Sequence, residues 1–404
     1  MRMNEYHALA HEVDEATDRG CVQGIKNALS KIESLLNDAQ NDDPTLLYFR
    51  ANCYAALRKI IHVDEPNIFD WQQSELSQEI LCLRRAVRSS DFSALENIRR
   101  CQIFTNLGNA LYTVGRPIEA IAAWDEALRI LPKFAMAAAN RAYGLLHYSA
   151  ALYDSGHQCV FLMSAAEGFR AAISDDAVLE SDYPDMMREQ FREKLEEIER
   201  YIDVRCNLDS FDPHASELGQ IDDVVQLNKW RLENRLFLNP LNDLATWPIA
   251  AQDIFHLPSH IIGIDEQPAY AQYFDLIKEE YVAACVLLHE GLGDQETHPA
   301  DRTLLTFEHA DYSVTSIQIE KCKIAFRMAY SLLDKCAAFV NAYFDLGHDP
   351  RSNNTSFRKI WFKNIKTRAL NDKIPQKNWR LRGLYAISFS TYWIETTGFQ
   401  PVRF

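Results

Sequence analysis

Residues 101–132, CQIFTNLGNALYTVGRPIEAIAAWDEALRILP, constrain the fold more than any other part of this chain. Gly108, Ala120 and Ala127 put small side chains where two helix backbones must approach closely. Phe104, Leu107, Leu111 and Trp124 put large apolar ones where a helix pair must be filled. Pro132 stops the second helix, because its ring excludes the helical hydrogen bond. The pattern predicts two antiparallel helices that stack on copies of themselves.

This stretch resembles a tetratricopeptide repeat, and two degenerate copies flank it. Downstream, AANRAYGLL (138–146) and AAEGFRAAI (165–173) align with its two helices, placing Ala142 at the Gly108 position and Phe169 at the Trp124 position. Upstream, YFRANCYAAL (48–57) and EILCLRRAV (79–87) align at offsets of 57 and 41, which leaves 16 extra residues between those helices around HVDEPNIFDW. An insertion of this kind either projects from one face of the stack for partner contact or is a loop that merely varies. Helices near 4–18, 22–37 and 179–204 are expected to cap the array. The resemblance implies a scaffold that binds a protein partner and leaves any chemistry to the rest of the chain.

A chain of 404 residues predicts two or three domains, and 47% apolar residues are ample for packed cores. The N-terminal sequence lacks the apolar stretch of a signal peptide, and no run has the length needed to span a bilayer, so no membrane association is expected. Nine scattered cysteines without a C-x-x-C pair predict buried thiols in a reducing, cytoplasmic setting and no structural zinc. The net charge of −15 argues against the whole surface gripping nucleic acid. Its distribution is uneven: residues 351–404 hold 11 Lys or Arg against two acids, a net of +9, while the remainder holds 31 against 55, a net of −24. A basic segment on an acidic body fits a phosphate-rich ligand, docking onto that body, or a solvated face.

Apolar spacings of three and four predict an all-α protein: a helical solenoid over 1–205, a polar linker over 206–224 carrying Pro213, and a helical bundle over 225–404. In the bundle, Asn239-Pro240-Leu241-Asn242-Asp243 is turn chemistry. Helices are expected at about 268–291, at about 314–346 and from near Trp379, with Gly291, Gly293, Gly347 and Pro350 as stops.

Residues 229–396 resemble a HEPN domain of the branch that follows tetratricopeptide repeats. The resemblance is carried by RLFLNPLNDL (235–244), HLPSHI (256–261), LIKEEYVAACVLLHEGL (276–292), SIQIEKCKIAFRMAYSLLDKCAAFVNAYFDLG (316–347), SFRKIW (356–361) and NWRLRGLYAIS (378–388). It implies a homodimeric, metal-independent ribonuclease of bacterial stress or anti-phage defence that uses an Arg and a nearby His, or else a non-catalytic nucleotide- or RNA-binding module in an adaptor. The 2′-hydroxyl would be the nucleophile, so no cofactor is needed. The Arg that corresponds is Arg382, yet residues 383–389 contain no histidine. Ser388 stands at one permitted distance but does not shuttle protons as imidazole does.

Several constellations remain as candidates. Glu320, Arg327 and Asp334 recur every seven residues, either as surface ion pairs or as a polar seam facing Arg382 and Tyr385. In the seam reading Arg382 contacts phosphate, Tyr385 donates a proton or stacks on a base, and the other three orient them. Arg358, Lys359, Lys363, Lys366, Arg368 and Arg380 are the nucleic-acid candidates. The first five interleave with Phe357, Trp361 and Phe362, which suits single-stranded RNA or, alternatively, an amphipathic helix with core aromatics. The pairs Arg302–His309 and Arg141–His147 have suitable spacing in less suitable contexts. His256, His260, His289 and His298 have no metal-ligand spacing, and no P-loop or dinucleotide glycine signature is present.

Overall fold

The structure is a computed structural model that describes the chain except residues 1, 40–41, 64–66, 181–182, 207–210, 260, 262, 264–268, 294–297, 304–315, 350–354 and 397–404. The helices are α1 (Arg2–Asp18), α2 (Val22–Ala39), α3 (Pro44–Ile61), α4 (Ser74–Arg88), α5 (Asn97–Thr113), α6 (Pro117–Ile130), α7 (Ala135–Ser149), α8 (Ser155–Ile173) and α9 (Pro184–Arg205). They continue with α10 (Asp222–Glu233), α11 (Pro240–Leu244), α12 (Ala269–Leu292), α13 (Ile317–Phe344) and α14 (Trp379–Thr396). A short antiparallel hairpin, β1 (Phe362–Asn364) and β2 (Ala369–Leu370), precedes α14 and pairs Phe362 with Leu370. The all-α class expected from the apolar spacing is the one observed.

The chain forms two compact units: Met1–Leu208 together with Gln376–Phe404, and Asp209–Pro375. In the first, α3 packs on α4, α5 on α6 and α7 on α8, with α4–α5 and α6–α7 contacts joining the hairpins into an array. Local chemistry sets the helix ends. The Asp43 carboxylate accepts from the Thr45 and Leu46 amides at 2.9 and 3.0 Å, with Pro44 at the first helical position of α3. Between α5 and α6 the backbone turns at Gly115 with φ +88, and Pro117 opens α6. Trp124 lies 2% exposed between two glycines: a Cβ on Gly108 would come within 2.4 Å of its ring, and one on Gly144 within 2.5 Å. Burying a side chain of this size contributes roughly 3 kcal/mol or more. Ala120, Ala127, Ala142 and Phe169 are fully buried, as the small-and-large pattern requires.

The expectation that all cysteines are thiols fails at one pair. Stacking α8 on α9 brings Cys159 and Cys206 to a Cα separation of 5.6 Å, and they form a disulfide spanning 47 residues. Spacing could not foresee it, because the two cysteines meet only through tertiary packing. Cys53, Cys82 and Cys101 are buried thiols, and burial pushes the Cys53 thiol up to about 12. No helix among the described residues is long and apolar enough to cross a membrane.

The second unit is organised by α12 lying along α13. The helix α12 ends at Leu292, between the two glycines expected to stop it; a Cβ on Gly291 would meet Cys322 Sγ at 2.6 Å and the Gln318 carbonyl at 2.9 Å. The role of Gly291 is close helix approach. The helix α13 starts at Ser316, whose hydroxyl accepts from the Ile319 amide at 3.2 Å, and ends at Asp345 in the left-handed region. RLFLNPLNDL forms a buried knot beside α12. Asn242, fully buried, accepts from the Phe237 amide and donates to the Leu232 carbonyl. Arg231 donates to both oxygens of Asp253 at 2.9 and 2.7 Å and covers the Phe237 ring. Tyr281 of α12 closes the knot by donating to the Leu236 carbonyl.

Candidate functional site

The first unit contains a cavity of about 440 Å³ bounded by the end of α3, the insertion after it and the start of α14. The insertion folds back on a 3-10 turn over Asn67–Phe69. It then grips the start of α14: Trp71 Nε1 donates to the Gln376 carbonyl at 2.8 Å, and its ring lies 5.5 Å from Tyr385. From the opposite side, Trp379 Nε1 donates to the Tyr112 carbonyl at 2.7 Å and its ring sits 4.7 Å from Tyr112. The turn after α5 and the first turn of α14 touch through glycines. A Cβ on Gly383 would fall 2.0 Å from the Gly115 carbonyl oxygen, so backbone meets backbone there.

Arg58, Lys59, His62, Lys377 and Arg382 bring nitrogen cations or potential cations to this cavity, and Phe69 and Trp379 supply rings. No Asp or Glu lines it among the described residues; Asp64 and Glu65 lie outside them. Arg58 is paired with Glu79 at 3.2 Å; burial of Glu79 raises its carboxyl pKa despite the pull of Arg58. His62 faces Glu75 at 3.2 Å. Lys59 makes no ion pair among the described residues, and Lys377 Nζ lies 5.1 Å from the Phe69 ring centre.

Arg382 lies buried in the wall of this cavity. It is 6% exposed, and its two terminal nitrogens donate to the carbonyls of Thr113 at 3.4 Å and Asp70 at 3.0 Å. Its Nε has no hydrogen-bond partner. Burial, reinforced by repulsion from Arg58 and opposed by attraction to the Asp70 carboxylate, pushes the guanidinium down to about 10, so it stays charged at neutral pH.

The expected site divides between the two units. Arg382 and Tyr385 belong to the first; Glu320, Arg327 and Asp334 lie on α13 of the second. The polar-seam reading is corrected, because all three α13 residues are exposed. Glu320 pairs with Lys323 at 2.7 Å on the helix surface, and Asp334 accepts from the Phe357 amide at 2.9 Å, holding the segment that follows. Tyr385 is 2% exposed beneath Trp71, so it cannot stack on an incoming base. The Ser388 hydroxyl donates to the Tyr385 carbonyl one turn back.

The stacking reading of 356–368 is also corrected. Phe357, Trp361 and Phe362 are buried, with Trp361 Nε1 donating to the Phe357 carbonyl, so these rings are core. The segment is a set of turns and the β1–β2 hairpin, not a helix; Asn364 Oδ1 accepts from the Lys366 and Thr367 amides at the bend, and Arg368 has φ +52. Lys363, Lys366 and Arg380 are exposed, while Arg358, Lys359 and Arg368 are half-buried. Lys363 pairs with Asp372. Of the other arginine–histidine pairs, Arg141 is bound to Asp125 and His147 to Tyr112, while His309 lies outside the described residues, as does His260. Among the described residues no group of three or more His, Cys, Asp or Glu side chains is placed to hold a metal ion.

Residues 261–400 match the family model described as LA2681-like HEPN. No curated protein and no solved structure matches the chain. The matched segment includes α12, α13, the hairpin and α14, and its last helix clusters with the helical hairpins of the first unit. Arg58, Lys59, His62 and Phe69, which lie outside the HEPN segment, were not singled out by sequence reasoning. Their signal was present in the 16-residue excess after a helix ending in Arg58-Lys59. What the excess could not show is that it folds inward over another helix.

Proposed function

We propose that this protein is a binding module for RNA or nucleotides built into a helical scaffold. Its LA2681-like HEPN segment would contact phosphates through exposed cations such as Lys363, Lys366 and Arg380. Its hairpin array, of tetratricopeptide type, would hold a protein partner. The observation that carries this reading is the HEPN match over 261–400, in a sequence whose Arg382 is followed by no histidine through residue 389. Burial of Arg382 against backbone carbonyls supports binding over cleavage, since a transition state needs cations aimed at the scissile phosphate. Homodimerisation and a role in bacterial stress or phage defence rest on the family resemblance; light scattering and toxicity on expression in a bacterial host test them.

The deciding comparison is wild type against Lys363→Glu/Lys366→Glu and Arg382→Ala on labelled tRNA and mRNA with EDTA present. Retention of RNA without cleavage, weakened by the double variant and by added salt, is the expected result. Cleavage by wild type that Arg382→Ala abolishes would replace this reading with a metal-independent ribonuclease. Failure to retain RNA or nucleotide at all would leave a protein-binding scaffold.

A further inference from the structure

We propose that the Cys159–Cys206 disulfide is a reversible redox latch, which fixes the end of α9 to α8 and is opened by a dithiol reductant. Three observations carry this. The first is where the bond lies. Cys159 is in the opening turns of α8, and Cys206 caps the C-terminus of α9, just before the first unit ends at Leu208. The bond therefore pins the point at which the chain leaves the array.

The second is how little else holds that point. The buried residues of α9 are Phe191, Leu195 and Ile198, with Phe191 set against the rings of Phe169 and Tyr143. Past Ile198 no residue of the helix is buried; Tyr201 is 50% exposed and Val204 77%. The Arg170–Glu199 ion pair also joins α8 to α9, but both side chains are exposed, so it contributes little. A helix end attached this weakly frays when its cross-link opens.

The third is the state of the other cysteines. Exchange between thiols and disulfides runs through the thiolate. Burial pushes the Cys82 and Cys101 thiols up to about 11 and raises those of Cys53, Cys285 and Cys336 as well. These thiols stay protonated at neutral pH and do not compete for the bond. Cys206 is half-buried at a helix end, whereas Cys159 is 7% exposed within the packing of α8. An attacking thiolate therefore bonds to the Cys206 sulfur. The Cys159–Cys206 bond breaks, and its electron pair leaves on Cys159, which takes up a proton. The reductant's second thiol then attacks its own sulfur in the mixed disulfide and frees Cys206 as a thiol. Two electrons and two protons pass to the cysteines, and the dithiol ends as a disulfide. A small disulfide such as oxidised glutathione reverses the sequence, becoming two thiols as the bond closes.

The test uses the full chain carrying Cys21→Ser, which removes an exposed thiol. Without denaturant, the protein is treated with dithiothreitol and then with oxidised glutathione. Alkylation and amide exchange are followed by mass spectrometry in each state. Cys159 and Cys206 should become alkylated together in dithiothreitol and be protected again in oxidised glutathione. Amides of 199–206 should exchange about tenfold faster or more when the bond is open, with α5 and α6 unchanged. Adding Cys206→Ser should give the fast exchange in both reagents and again spare α5 and α6. The proposal is overturned if dithiothreitol opens the bond only once denaturant unfolds the array, since the bond is then a static staple. It is equally overturned if opening leaves exchange at 199–206 unchanged, or if oxidised glutathione does not restore the bond.

Discussion

Two buried arginines, one in each unit, are treated in opposite ways. Arg231, in the knot beside α12, is 5% exposed and meets both oxygens of Asp253, which in turn accepts from the Leu238 amide. Arg382, at the start of α14, is 6% exposed and is met by two backbone carbonyls instead of a carboxylate. In the first, a carboxylate and an aromatic face come from neighbouring residues, while Nε lacks a hydrogen-bond partner just as it does in Arg382. The second lines a cavity, its charge met by carbonyl dipoles and by the field of Asp70. Burial alone therefore does not dictate how a guanidinium is compensated: a carboxylate does it in one unit and carbonyl dipoles in the other.

That contrast can be broken by mutation. Arg231→Ala leaves the half-buried Asp253 without its cation, and destabilisation by about 3 kcal/mol is expected in denaturant unfolding. A loss below about 1 kcal/mol would show that the knot does not depend on the pair. Gly383→Ala forces a methyl group into the Gly115 carbonyl and should cost roughly 1–3 kcal/mol, with faster amide exchange in α14 but not in α12. Unchanged exchange in α14 would mean that the helix docks without the glycine contact.

Arg382→Met removes a charge that has no carboxylate pair and leaves two carbonyls short of a donor. The expected cost is about 1–2 kcal/mol, clearly below that of Arg231→Ala. If the two arginines prove equally costly to remove, the comparison fails. If Arg382→Met is milder than Arg231→Ala by about 1 kcal/mol or more, it is sharpened. The smallest effect is expected at Lys363→Ala, whose pair with Asp372 is exposed on both sides; stability should stay within about 0.5 kcal/mol while RNA retention falls.

Much of the first unit was legible because its packing is local. Gly108 and Trp124 belong to one hairpin, and the periodic pattern that places them needs no knowledge of the rest of the chain. The same local logic located α12, α13 and the start of α14. What it could not supply was the long-range partner. Tyr385 was read as a proton donor or base-stacking ring because nothing local shows that Trp71, more than 300 residues earlier in the chain, covers it. The excess after α3 was visible as length alone, since projecting and inward-folding loops share a composition. The basic–aromatic segment misled for a different reason. Cations beside rings look alike whether the rings face a ligand or the core, and the Asn364 bend, the cue to a hairpin, was outweighed by the density of charge.

The grip on α14 joins residues far apart in the chain: Trp379 to Tyr112 across 267 positions, and Arg382 to Asp70 across 312. Translation therefore makes the hairpins and everything between them before residues 376–385 exist to complete the first unit. A nascent chain must keep Trp71, Tyr112 and the end of α3 uncovered throughout that interval, exposing apolar surface that holdase chaperones recognise. Ribosomes that stall or terminate before Gln376 would release hairpins with Trp71 and Tyr112 left uncovered.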